Sequence, residues 1–161
     1  MKALFCGTLA VVVALSGPSW AQSTERKNAS PGSARETLVG AWHLLWLDEP
    51  GADGKLKRIT DAKGSLIYTP DGHMSVQVMY AKPESASSNN PVAYAQGGYE
   101  GSFGRYDVNE AAHTVTHHVE GANVRALMGK DLPRMYQFSD GHLIIRSSRT
   151  DEHWSVTWEH Y

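Results

Sequence analysis

Leu66-Ile67-Tyr68-Thr69-Pro70-Asp71-Gly72-His73-Met74-Ser75-Val76-Gln77-Val78-Met79 is the stretch on which the fold turns. Met74, Val76 and Val78 alternate with Ser75 and Gln77, the period-two pattern of a strand with one apolar face. Pro70-Asp71-Gly72 interrupts it with turn chemistry, because Asp-Gly accepts the positive backbone angles that match strand twist. Residues 65–69 and 74–79 therefore read as a hairpin. The device recurs at Asp140-Gly141, between 134–138 and 142–148. Residues 102–108 and 114–120 flank a longer turn at 109–113. Trp42, Leu44 and Trp46 open the series, with His43, Leu45 and Leu47 between them, so the first strand is apolar on both faces. Trp154, Val156 and Trp158 close it, alternating with Ser155, Thr157 and Glu159.

This makes an all-β domain of about eight antiparallel strands joined mostly by short turns, a sandwich or an up-and-down barrel. The Trp pairs on the first and last strands favour a single barrel, since joining those strands leaves no exposed edge. Short helical segments are expected at 35–39, 90–96 and 123–128. Residues 80–99 form the longest irregular stretch, and a loop of that length is either disordered or a lid over a site.

Upstream of the strands, Met1-Lys2 gives a positive start, residues 3–15 are almost wholly apolar or small, and Ser19-Trp20-Ala21 has the small-x-small form of a cleavage site. Residues 1–21 thus read as a secretory signal peptide cleaved near Ala21. The apolar run is too short to span a bilayer, so no membrane-spanning segment is expected. Residues 22–34 are polar, contain Pro and Gly, and read as a disordered linker; the barrel domain occupies 35–161. The expected location is periplasmic or secreted.

The 161-residue chain is 41% hydrophobic and 20% charged, with a net charge of −2. That balance argues against a nucleic-acid partner, which usually calls for a basic surplus. The single cysteine, Cys6, excludes an intramolecular disulfide and a Cys-rich zinc site. Eight histidines are present, but without metal-ligand spacing. No nucleophile elbow, phosphate loop or dinucleotide fingerprint appears. No metal and no cofactor are expected.

Thr37-Leu38-Val39-Gly40-Ala41-Trp42 carries the Gly-x-Trp pattern that opens the first strand of lipocalins, where Gly lets the backbone pass closely at the barrel base and Trp plugs that end. Residues 66–77, Gly104-Arg105-Tyr106-Asp107-Val108, residues 114–120, Arg134 with Phe138, Asp140-Gly141 and Leu143, and Trp158-Glu159 resemble, in order and spacing, the blocks of the small bacterial and fungal lipocalin-like domain family. The resemblance covers about residues 36–160. It implies a calycin-type barrel with a central cavity and no single activity. It also makes Arg146 a candidate to stack on Trp42, as lipocalin arginines do.

An eight-stranded barrel has room for side chains or one small ligand. His117 and His118 point to opposite faces. His117 shares its face with Val115 and Val119, and is the inward residue if that apolar face lines the interior. It would orient a ligand or act as acid or base, or be a core histidine bonded to a tyrosine or a carbonyl. Arg134 would either receive a carboxylate or phenolate ligand or stack on an aromatic ring at the rim. Trp46, Tyr106 and Tyr136 complete the candidate ligand-binding set with His117 and Arg134.

Three functions follow from this reading. The first is binding of a small hydrophobic or aromatic molecule. The second is a cofactor-free isomerase, cyclase, hydratase or lyase, with His117 as its catalytic residue. The third is a structural or partner-binding periplasmic protein. The sequence leaves open whether the protein is an enzyme. Two or more ionisable groups converging in the cavity would favour catalysis, and one orienting group would favour binding.

Overall fold

The structure, a computed structural model, describes residues 32–51, 53–81 and 98–161. The segment read as a signal peptide, nearly all of the segment read as a linker, the helix expected at 90–96 and most of the 80–99 stretch lie outside the described residues.

Helix α1 (Ala34–Leu38) is a single turn with a reciprocal cap. Ser33 Oγ accepts from the Glu36 N–H (3.2 Å), and Glu36 Oε2 accepts from the Ser33 N–H (2.9 Å). This arrangement satisfies two amide donors that a helix start leaves open. The strands are β1 (Gly40–Pro50), β2 (Leu56–Ile59), β3 (Lys63–Tyr68), β4 (His73–Met79), β5 (Tyr99–Asn109), β6 (Thr114–Ala122), β7 (Asp131–Ser139), β8 (His142–Ser147) and β9 (Ser155–His160). A 3-10 turn at Arg125–Leu127 stands where a short helix is expected from the sequence.

Each strand from β3 to β9 pairs antiparallel with the next, and β9 returns to β1. β2 and β3 lie end to end along the other side of β1, β2 on Leu47–Pro50 and β3 on Gly40–His43. Among the described residues, these nine strands make a closed antiparallel barrel of eight staves. β2 escapes a sequence reading because Leu56-Lys57-Arg58-Ile59 has no buried face to impose alternation.

The two Asp-Gly turns differ. Asp140 (φ 52°) and Gly141 (φ 81°) both take positive angles, as a two-residue hairpin requires. The first turn is longer: Gly72 alone is left-handed (φ 93°), and its N–H donates to Thr69 O.

α1 and the turns at 69–72, 110–113 and 140–141 gather at one end. The Trp42 indole N–H donates to Leu38 O (2.9 Å) and its ring lies 3.7 Å from that of His160. Gly40 has φ 144°, and a Cβ there would sit 2.3 Å from the His160 ring. These are the close passage and the plug implied by Gly-x-Trp. Arg146 does not join them. It is exposed, because on β8 it alternates with the inward Leu143 and Ile145.

On β1 the register slips by one residue between Leu44 and Trp46, leaving Leu45 as a bulge opposite β9. An extra residue inverts every later side chain on a strand. Trp42 and Leu44 face in before the bulge, and Leu47 and Glu49 are the buried residues after it. Trp46 is thereby turned outward, against Arg58 (4.6 Å to the ring centroid) and His142. Its expected place on the pocket wall is corrected on this ground.

Candidate functional site

The interior is filled from the α1 end by Leu38, Trp42, Tyr68, Tyr106, Val115 and Leu143, and opens into a cavity of about 90 Å³ in the other half. Its wall is mainly apolar, with Leu66, Val76, Val78, Ile145, Val156 and Trp158 among the lining residues. The ionisable residues on that wall include Asp48 and Glu49 from β1, Glu100 from β5, His117 from β6 and Arg134 from β7. The Asp48 carboxylate is taken up by Arg58, both of its oxygens accepting at 2.9 Å.

His117 is buried, at 6% exposure, and its Nε2 lies 2.7 Å from the Tyr68 hydroxyl. Desolvation, then the charges of Arg134 and His118, push its pKa down to about 3, so the ring is neutral at ordinary pH. Burial pushes the Tyr68 phenol up, so it too keeps its proton. With neither partner charged, the pair is a neutral hydrogen bond beside the cavity.

Glu100 points the same way as Ser102, Gly104 and Tyr106, two residues apart along β5. Its backbone is held on both sides. Asn123 Oδ1 accepts from the Gly101 N–H (2.9 Å) and Asn123 Nδ2 donates to Tyr99 O (2.7 Å). Burial raises the Glu100 pKa, and the Arg134 charge partly opposes that. Arg134 lies over the Trp154 ring, 5.0 Å from its centroid. Trp154 is fixed in turn by donating to Glu152 Oε2 (3.2 Å), which also accepts from Ser147 Oγ (2.6 Å). The stacked arginine at the rim is the geometry expected from the sequence as the alternative to a freely inward one. Trp158 Nε1 is buried with no hydrogen-bond partner.

Of the five residues proposed from the sequence, the cavity wall therefore includes His117 and Arg134. Tyr106 is packed on Tyr68 (4.7 Å) and donates to Thr69 O (2.9 Å), below the cavity. Tyr136 stands against His113 and Phe138 in the same filled end. Both are core residues away from the cavity wall, because large side chains on a shared inward face fill the barrel wherever α1 closes it. Trp46 is outside.

Glu49 and Glu100 were not singled out from the sequence. Glu100 could have been found by continuing the alternation of 102, 104 and 106 one step upstream. Glu49 could not, since simple parity from Trp42 turns it outward; the lost alternation over 42–47 is the one trace of the bulge.

His118 faces out, and its two ring nitrogens meet Asp131 Oδ1 (2.7 Å) and Asp107 Oδ2 (2.9 Å). These carboxylates raise its pKa. Arg105 pairs with Glu120 at 3.1 Å. Among the described residues no group of three or more His, Cys, Asp or Glu is placed to hold a metal, and no helix is long and apolar enough to cross a membrane.

Among solved structures, a lipocalin-like protein from Bacteroides uniformis matches with 13% identity and a TM-score of 0.45, over 77% of this chain and 98% of that one. A mutant of the fluorescent protein UnaG matches with 13% identity and a TM-score of 0.37, over 78% of this chain and 97% of that one. No curated protein matches. The model of the lipocalin-like domain family matches residues 39–160, the whole barrel from Val39 to the end of β9, and the chain belongs to that family.

Proposed function

We propose that this barrel binds a small apolar or aromatic molecule bearing a polar head, and that it works in the periplasm or outside the cell. The observation that carries the reading is the cavity: about 90 Å³ of space, an apolar wall, and a few fixed polar groups at separate points on it. That is the usual composition of a ligand site, although the volume is well below the roughly 300–1,000 Å³ of most such pockets. A compact molecule suits it; a larger one requires wall side chains to move. The cavity is also what supports binding over a purely structural role. The signal-peptide pattern of residues 1–21 supports the location.

The test is native mass spectrometry of the protein isolated gently from its own host. The expected result is a reproducible added mass that is lost in His117→Phe, which fills the cavity from β6. N-terminal sequencing of the same material is expected to begin at Gln22. Wild type and variant each at the bare mass of its own sequence, in preparations shown to be folded, would count against binding.

One observation favours a second reading, acid–base catalysis without a cofactor. Glu49, Glu100, His117 and Arg134 converge on one cavity, and convergence of ionisable groups is a mark of reactive sites. In that reading His117 is a poor base, since its pKa is near 3. Glu100, raised by burial, is the better proton carrier. Turnover of the recovered molecule by the wild type, and its loss in Glu100→Gln, would establish this reading over simple binding.

A further inference from the structure

Resting on the cavity-binding reading, we propose that the bound molecule carries a basic nitrogen, seated at Glu100, on a small apolar or aromatic body. The wall includes three acidic residues, Asp48, Glu49 and Glu100, against one guanidinium, Arg134. Asp48 is already paired with Arg58, which leaves Glu49 and Glu100 as the carboxyl groups facing Arg134. That guanidinium stacks on the face of Trp154, donates from one nitrogen to Pro133 O (3.3 Å), and its charge already acts on Glu100, so it is partly answered within the protein. His117 and Tyr68 are neutral and bonded to each other. Glu100 differs from these groups. Asn123 clamps the backbone on both sides of it, so its position is set before any ligand arrives. Its carboxyl makes no hydrogen bond among the described residues, although it lines the cavity.

An anionic head in this space would meet two carboxyl groups at close range in a low dielectric. A neutral head would give Glu100 at most an ordinary hydrogen bond. An ammonium head supplies charge-assisted donors to Glu100 and balances the wall. Val76, Val78 and Leu132 then cover the apolar body. This reverses the preference for a carboxylate or phenolate that Arg134 suggests when read without its surroundings.

The experiment is calorimetric titration of the purified protein with benzylamine, benzyl alcohol and benzoate at neutral pH, three heads on one ring. In the wild type, benzylamine is expected to bind at least about tenfold more tightly than either other probe. Glu100→Gln, nearly the same shape, is expected to remove that advantage while leaving benzyl alcohol within about twofold. Glu100→Asp is expected to retain part of it. If benzoate binds best, or if Glu100→Gln leaves the benzylamine advantage intact, the basic-nitrogen proposal is overturned and cavity binding survives. If none of the three probes binds, the cavity-binding reading fails and takes the proposal with it.

Discussion

The two faces of the barrel wall carry the same residue types under opposite physics. Trp42 faces in, is 2% exposed and closes the barrel end, whereas Trp46, four residues on, lies outside under Arg58. His117 faces in and is held neutral by burial, whereas its neighbour His118 faces out and is held toward its charged form by Asp131 and Asp107. Residue type alone therefore says little about role here. The side of the wall decides whether desolvation or Coulomb attraction dominates a titration, and whether an indole fills the core or covers its outer surface.

The largest effect that would break this comparison is on the tryptophans. Trp42→Ala is expected to cost about 3–5 kcal/mol, read from urea unfolding midpoints, because it empties the plug and orphans the Leu38 carbonyl. A loss no larger than that from Trp46→Ala would mean that the closed end is not a packed core.

The acid side of the stability curve comes next. Between about pH 6.5 and about pH 3 the unfolded chain binds a proton at residue 117 and the folded chain does not. Stability therefore falls as pH falls through that window, by up to about 1.4 kcal/mol per unit. His117→Gln is expected to flatten the slope between pH 6.5 and 5, where the depressed carboxyls of Asp71 and Asp151 contribute little. An unchanged slope would show that the folded protein admits the proton.

Trp46→Ala is expected to cost about 1–2 kcal/mol, through lost outer packing and the Arg58 contact, and to leave probe binding in the cavity unchanged. Weakened binding would return Trp46 to the pocket.

His118→Gln sharpens the contrast at the smallest scale, about 0.5 kcal/mol, because both carboxylates are exposed and solvent screens the pair. The raised folded pKa places this contribution fully below about pH 6.5 and removes it as pH rises through the folded value. The variant should lose that alkaline decline and leave the acid limb alone.

Much of the barrel was legible because alternation has a single physical cause, one face against the core and one against water. Met74–Val78 and Val115–Val119 follow it, whereas the Trp-bearing first and last strands follow it only in part, the first being interrupted by the bulge at Leu45. The site was legible only in part. His117 and Arg134 could be named from parity, whereas Glu49 was hidden by a one-residue bulge, and Glu100 lies just upstream of where the sequence pattern is read to start. Tyr106 and Tyr136 have the parity of pocket residues but stand in the filled end, and alternation carries no information about depth along the axis.

The sequence by itself determined most of the strands, the hairpin at Asp140-Gly141, and which of two adjacent histidines shares an apolar face. These are local properties, set by period, turn angles and side-chain size within a few residues. Only the tertiary structure decided that β9 closes on β1 with a slip at Leu45, that Glu100 and Arg134 share one cavity, and that His117 meets Tyr68 from 49 residues away. Those depend on register between strands distant in the chain, and a single extra residue in one strand is enough to reverse which side chains meet.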